Sequence, residues 1–288
     1  MPHLDLLRLW LKVMAQFRAG RQSGLEGCGA WRRTPDGHAD ESPLNYRYRP
    51  PYPDAVFRKL LAIAPRTEHL LDIGCGPGKI TRPLAASFTT VTAIDPSEHM
   101  IALGRSLPGG GAENIRWIEG FAEDFPADGR RFGLTVAAAS IHWMDHGRLF
   151  PHLLANAAPG HVMVVVSGDD PFEPPWQSDW HLFLGKWVPE LIGQPFDHDK
   201  RSEGMRSYQS YLDLHGSEHV VSEHPFEQSV EDFVSCQHSR DTFAPSKLGG
   251  RIAAFDAELS ELLRAYSHDD RLSFVVRTRI VWGEIKPI

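Results

Sequence analysis

The feature that most constrains this chain is residues 70–79, LLDIGCGPGK. A short apolar run, broken only by Asp72, enters a loop with Gly74, Gly76 and Gly78 at alternate positions, and a helical pattern begins at Lys79. Glycine adopts backbone conformations closed to other residues and lets the main chain come close to a ligand. A helix that starts behind such a loop offers unsatisfied N–H groups and a favourable dipole for negative charge. The next apolar run, 90–94, closes on Asp95, 21 positions after Gly74. In nucleoside-binding α/β folds that is where a carboxylate meets ribose hydroxyls. The alternative role for Asp95 is to cap a helix at Ser97.

The surrounding pattern alternates. Helical periodicity over 53–64 is followed by strands at 69–73, 90–94, 114–119, 132–138 and 162–167, with helices at 79–88, 97–106 and 148–157 between them. Strands separated by helices imply right-handed crossovers and a mostly parallel sheet covered on both faces. Two ligand classes are disfavoured by position. A dinucleotide loop G-x-G-x-x-G needs its third glycine at 79, where Lys79 stands. A phosphate loop G-x-x-x-x-G-K-[ST] needs glycine at 73 and a hydroxyl at 80, where Ile73 and Ile80 stand.

Residues 70–79, the segment VTAIDPSEHM at 91–100 and FGLTVAAASIHWMD at 132–145 resemble the class I S-adenosylmethionine-dependent methyltransferases. More narrowly they are similar to the type 11, trans-aconitate methyltransferase-like small-molecule group, as is the stretch YRYRPPYP at 46–53. The resemblance implies a Rossmann-like, doubly wound, seven-stranded α/β sheet, mostly parallel with one antiparallel strand near the C-terminus. It implies S-adenosyl-L-methionine as cofactor. Asp72, Gly74, Gly76 and Gly78 would surround its methionyl part, and Asp95 would accept from the ribose hydroxyls. Pro96 and Met100 would wall the adenine, Ala122 and Glu123 would border its edge, and Ser140 would lie near the methyl group. Relatives commonly carry Asp where Phe121 stands, which removes a side-chain contact to the adenine amine.

Methyl transfer from a sulfonium chiefly requires an acceptor aligned with the methyl carbon. A base is needed only when the attacking atom carries a proton. His142 is the candidate catalytic base, at the carboxyl end of the fourth strand, with a pKa suited to neutral pH. Tyr46, Tyr48, Arg49 and Trp143 are candidates for the substrate pocket. Residues 168–217, punctuated by prolines and bearing Trp176, Trp180, Phe183 and Trp187, are expected to form a helical cap inserted after the fifth strand, with 218–288 closing the sheet. The cofactor core would span 45–167, and all of 45–288 would form one methyltransferase domain.

Residues 1–44 read as a dispensable leader, its apolar stretch interrupted by Asp5, Arg8 and Lys12 and too short for the about 20 residues a membrane span takes. Acidic residues number 37 and basic ones 30, a net charge of −7 that argues against general nucleic-acid or anionic-membrane binding. The three cysteines, Cys28, Cys75 and Cys236, make neither a disulfide framework nor a metal motif, which fits a reducing cytoplasm. A small organic acceptor is therefore expected, O-methylated on a carboxylate or hydroxyl. The alternatives are methylation of tRNA or protein, or a non-catalytic nucleoside-binding protein of the same fold. Composition does not address oligomeric state.

Overall fold

The computed structural model describes residues 45–193 and 206–287; the leader expected over 1–44 lies outside them. Strands β1 (His69–Ile73), β2 (Thr90–Asp95), β3 (Ile115–Glu119), β4 (Phe132–Ala138) and β5 (Ala157–Pro171) are joined in the main sheet by β6 (Leu212–Val221) and β9 (Val276–Ile285). The order is β3-β2-β1-β4-β5-β9-β6. The pairs among β1 to β5 are parallel, while β9 runs antiparallel to both β5 and β6. This is the expected seven-stranded sheet with a single reversed strand.

The strands read as nearly unbroken apolar runs because both faces are covered. On one face, Val56, Phe57 and Leu60 of helix α1 (Asp54–Ile63) pack with Leu84 of α2 (Thr81–Leu84) on Leu70, Val91, Leu134, Val136, Val164 and Ile280. On the other, Leu149, Phe150 and Leu153 of α4 (His146–Ala155) lie on Leu71, Ile73, Ala137, Met163, Val165 and Val281. Helix α3 (Glu98–Ser106) is capped by Ser97, whose Oγ accepts from the Met100 N–H.

Three expectations are corrected. The helix expected over 79–88 is one short turn, α2, continued as a 3₁₀ segment over Ala85–Ser87. So short a helix carries little dipole with which to support an anion. The expected final strand over 273–282 is two strands. β8 (Arg271–Phe274) pairs with β7 (Phe226–Ser229) in a separate two-stranded sheet, and β9 starts after Val275.

The cap also departs from its expected limits of 168–217. Leu212 already lies in β6, opposite Ile285 of the main sheet. The aromatic face of α5 (Gln177–Ile192), with Trp176 just ahead of it, finds its partners beyond 217. Phe183 and Trp187 pack with Phe233 and Val234 of α6 (Val230–Gln237), Leu248 of α7 (Pro245–Leu248), Phe255 and Leu259 of α8 (Ile252–Arg264), and Phe274. Phe255 is fully buried and meets the rings of Phe183, Trp187 and Phe243 at centroid distances of 5.1, 5.2 and 5.0 Å. Phe255→Ala should therefore destabilise the protein by about 3–5 kcal/mol, read from urea denaturation.

Candidate active site

The glycine loop leaves β1 at the centre of the sheet. Gly74 has φ +60°, and a Cβ there would come within 2.5 Å of Ser140 Cβ, so only glycine allows β4's end to close against the loop. Gly76 has φ +53°, and a Cβ there would meet the Tyr46 phenol at van der Waals distance, 3.9 Å from its oxygen. Gly78 is also left-handed and lies against Trp117. All three glycines hold a left-handed backbone that other residues adopt only with strain.

Two carboxylates hold this loop. Asp95 Oδ2 accepts from the Gly76 N–H at 2.8 Å and Oδ1 from the Ser97 N–H at 2.9 Å, so Asp95 both pins the loop and starts α3. Burial raises its pKa above the ordinary carboxylate value, against those two hydrogen bonds. Each oxygen keeps acceptor capacity for a hydroxyl donor. Asp72 lies beneath the loop, 1% exposed. Its Oδ2 accepts from the Thr81 N–H (3.1 Å) and hydroxyl (2.6 Å), while Oδ1 has no partner among the described residues. Burial pushes its pKa up to about 7, outweighing the Thr81 bonds. A buried carboxylate oxygen without a donor is costly unless a ligand completes it. The spare acceptor capacity of Asp95 and the unpartnered Asp72 Oδ1 suit an adenosyl amino acid carrying a diol and an ammonium group.

The remaining candidates divide. Pro96 is exposed and Met100 half-buried in the first turn of α3, beside Asp95. Ala122 is buried and Phe121 is 66% exposed. Glu123 Oε1 accepts from the Asp145 N–H at 2.6 Å, which ties its side chain to the start of α4. The Ser140 hydroxyl donates to the Ile73 carbonyl at 2.7 Å, and so fastens β4 to β1. Ile141–Trp143 forms a single 3₁₀ turn that buries Ile141 and turns His142 and Trp143 outward. Trp143 is 69% exposed, 5.0 Å from the His142 ring. His142 lines a cleft of about 300 Å³ with Ala139, Ile141, Val165, Val166 and Ser167 at the ends of β4 and β5, and with Arg206, Tyr208 and Arg279. Trp143, expected as a wall, is not among these residues.

Tyr46, Tyr48 and Arg49 lie in a strap over 45–53 that meets the glycine loop and is likewise absent from the cleft lining. Burial pushes the Tyr46 phenol up to about 12. Arg49 stacks on the Tyr46 ring at 4.5 Å and donates to the Ser239 hydroxyl (2.8 Å) and carbonyl (2.7 Å). The Tyr48 carbonyl accepts from Gln228 at 2.7 Å. Lys79 donates to the Pro50 carbonyl at 2.7 Å and to Asp169 at 3.0 Å.

Asp169 was not singled out in the sequence. At the end of β5 it meets Lys79, Arg240 (3.5 Å) and Arg49 (3.8 Å). Burial alone would raise its pKa, but the three cations hold it well below the usual carboxylate range. Arg240 also pairs with Asp170 at 2.7 Å. The available signal was an Asp-Asp pair closing a strongly apolar strand. Among the described residues no group of three or more His, Cys, Asp or Glu is placed to hold a metal ion, and no helix is long and apolar enough to cross a membrane.

Comparison with known proteins agrees with this geometry. Residues 70–160 match the model of a methyltransferase domain. The chain is 36% identical to trans-aconitate 2-methyltransferase of Paracidovorax citrulli over 77% of this chain and 90% of that protein. It is 36% identical to the Delftia acidovorans protein of the same name over 39% of this chain, where it spans 43% of the relative's length. Among solved structures, that of a type II methyltransferase candidate from Anaeromyxobacter dehalogenans aligns with a TM-score of 0.67 at 24% identity, over 83% of this chain and 99% of that one. The chain belongs to the class I S-adenosylmethionine-dependent methyltransferases, in the group that includes the trans-aconitate methyltransferases.

Removing the carboxylate that three cations share should leave them uncompensated. Asp169→Ala should cost about 3–5 kcal/mol in denaturant unfolding, more than Asp170→Ala at the exposed partner of Arg240.

Proposed function

We propose that this protein transfers the methyl group of S-adenosylmethionine to a carboxylate oxygen of a small organic acid, in the cytoplasm. The observation that carries this reading is the cleft at the ends of β4 and β5, whose lining includes Arg206, Arg279 and His142 and, among the described residues, no Asp or Glu. In a chain with more acidic than basic residues, such a surface favours an anion. The relatives named for trans-aconitate, a carboxylic acid, support the same reading.

When bound, the cofactor supplies an electrophilic methyl group on a sulfonium. The position of each residue supports its part in this reading. Asp95 accepts from the ribose hydroxyls with the lone pairs that Gly76 and Ser97 leave over. The loop of Gly74, Gly76 and Gly78, closed against Ser140 and Trp117, receives the methionyl portion along its backbone, and Asp72 Oδ1 accepts from its amino group. Pro96, Met100 and Ala122 border the adenine, with Glu123 and Ser140 holding their segments in place through Asp145 and Ile73. A carboxylate acceptor is already a nucleophile, so His142 needs only to orient it. A hydroxyl acceptor is the second reading, because His142 at the cleft could take its proton.

The deciding experiment supplies methyl-labelled cofactor with panels of organic acids, alcohols and amines. Base-labile methyl esters should form from acids alone. Base-stable ethers would favour the hydroxyl reading, and label confined to tRNA or protein would overturn both. Asp95→Ala and Gly76→Val should each weaken S-adenosylhomocysteine binding at least about tenfold by calorimetry while the protein stays folded.

Asp72 gives a pH dependence. Without cofactor its carboxyl keeps its proton up to about pH 7. An ammonium donor at Oδ1 favours the ionised form, so binding releases a proton and affinity falls as pH drops through 7. S-adenosylhomocysteine should bind more tightly at pH 8 than at pH 6, and Asp72→Asn should flatten that difference.

A further inference from the structure

We propose that the Tyr46 phenol donates a hydrogen bond to the carboxylate of the cofactor's methionyl group, so that the strap completes the amino-acid clamp that the glycine loop begins. This rests on the cofactor placement given above and assigns a partner to the cofactor's anionic group.

An amino acid carries its ammonium and its carboxylate on one carbon. With the ammonium at Asp72 Oδ1, the carboxylate must find its donor at the same loop. Three N–H groups of the loop are already spent. That of Cys75 donates to the Ile94 carbonyl at 3.0 Å, that of Gly76 to Asp95 at 2.8 Å and that of Gly78 to the Cys75 carbonyl at 3.0 Å. Helix α2 behind them is a single short turn. The nearby cations are committed as well, Lys79 to Pro50 and Asp169, and Arg49 to Ser239. A further side-chain donor is needed.

Tyr46 is placed to be that donor. The two atoms nearest a Cβ built on Gly76 are its phenol oxygen, at 3.9 Å, and its Cζ, at 4.0 Å. A carboxylate laid along the Gly76 backbone therefore lies within reach of the hydroxyl. Among the described residues that hydroxyl has no hydrogen-bond partner. Burial raises its pKa to about 12, so the oxygen keeps its proton at neutral pH. The ring stacks on the Arg49 guanidinium at 4.5 Å, and Lys79 Nζ lies 6.0 Å from its centre. Lys79, Arg49 and Arg240 share two carboxylates, Asp169 and Asp170, which leaves one positive charge over. That surplus favours an anion beside the phenol. A hydrogen bond to an ionised acceptor is also roughly twice as strong as one between neutral groups.

Calorimetry on wild-type and Tyr46→Phe proteins tests this with two ligands, S-adenosylhomocysteine and its decarboxylated analogue, which keeps the amine. Phenylalanine keeps the ring on Arg49 and removes only the hydroxyl. Tyr46→Phe should weaken S-adenosylhomocysteine binding about tenfold or more and leave the analogue within about twofold. A second reading needs no substitution. In wild-type protein isotope-labelled at tyrosine Cζ, one resonance should shift on adding S-adenosylhomocysteine and stay in place on adding the analogue. Equal weakening of both ligands in the variant, no change in either, or a tyrosine spectrum that does not tell the ligands apart overturns the proposal while leaving the cofactor site intact. Failure of S-adenosylhomocysteine to bind wild type instead overturns the placement on which it rests.

Discussion

The buried carboxylate of Asp169 ties together three separate segments of the chain. Lys79 reaches it from the glycine loop, Arg49 from the strap and Arg240 from the cap, each within 4 Å. A lone ionised group in that position would be expensive to desolvate, and so would three lone cations. Their mutual neutralisation, with Asp170 on Arg240, makes the assembly tenable. The same Lys79 ammonium holds the Pro50 carbonyl and lies 4.4 Å from the Tyr52 ring centre, so the strap's course over the cofactor loop follows from this one cluster. Lys79 therefore has a structural task at a position where a dinucleotide loop would need glycine.

Much of the cofactor half was legible because its signals are local. Strands 69–73 and 132–138 coincide with β1 and β4 to the residue, and Asp95 stands at the end of β2 beside the loop. Backbone conformation and strand length depend on neighbours in sequence, and glycine spacing reports them directly. The acceptor half was less legible because it is assembled from distant pieces. The spacing of Trp176, Trp180, Phe183 and Trp187 announces an apolar helix face, but not that Phe183 and Trp187 will find Phe255, far along the chain. The placing of Arg277 and Arg279 on one side of a late strand was visible, but not that β9 enters the sheet beside β5 and brings Arg279 to the cleft. Asp169 was hidden for the same reason, since all three of its cations arrive from other segments.

The site accordingly has two chemically distinct parts. Around Gly76 the work falls to main chain and two carboxylates, whose burial shifts both toward their protonated forms. Around His142 it falls to side chains rooted on β4, β5, β9 and the segment leading into β6. The first part suits a cationic ligand and the second, on the proposed carboxylate-acceptor reading, an anionic one.

The reversed direction of β9 has a further consequence. β5 ends, β6 ends and β9 begins at the same end of the sheet, as the pairings of Pro171 with Val276 and of Val221 with Arg277 require. The stretch between β6 and β9 therefore leaves and rejoins the sheet at that end, while the chain after β5 leaves there and rejoins at the start of β6, opposite Ile285. Chain can be added, removed or resculpted at those junctions while the strands that carry the glycine loop keep their register. A lineage with this topology can exchange one acceptor for another by editing the rim, with its methyl-donor machinery inherited intact.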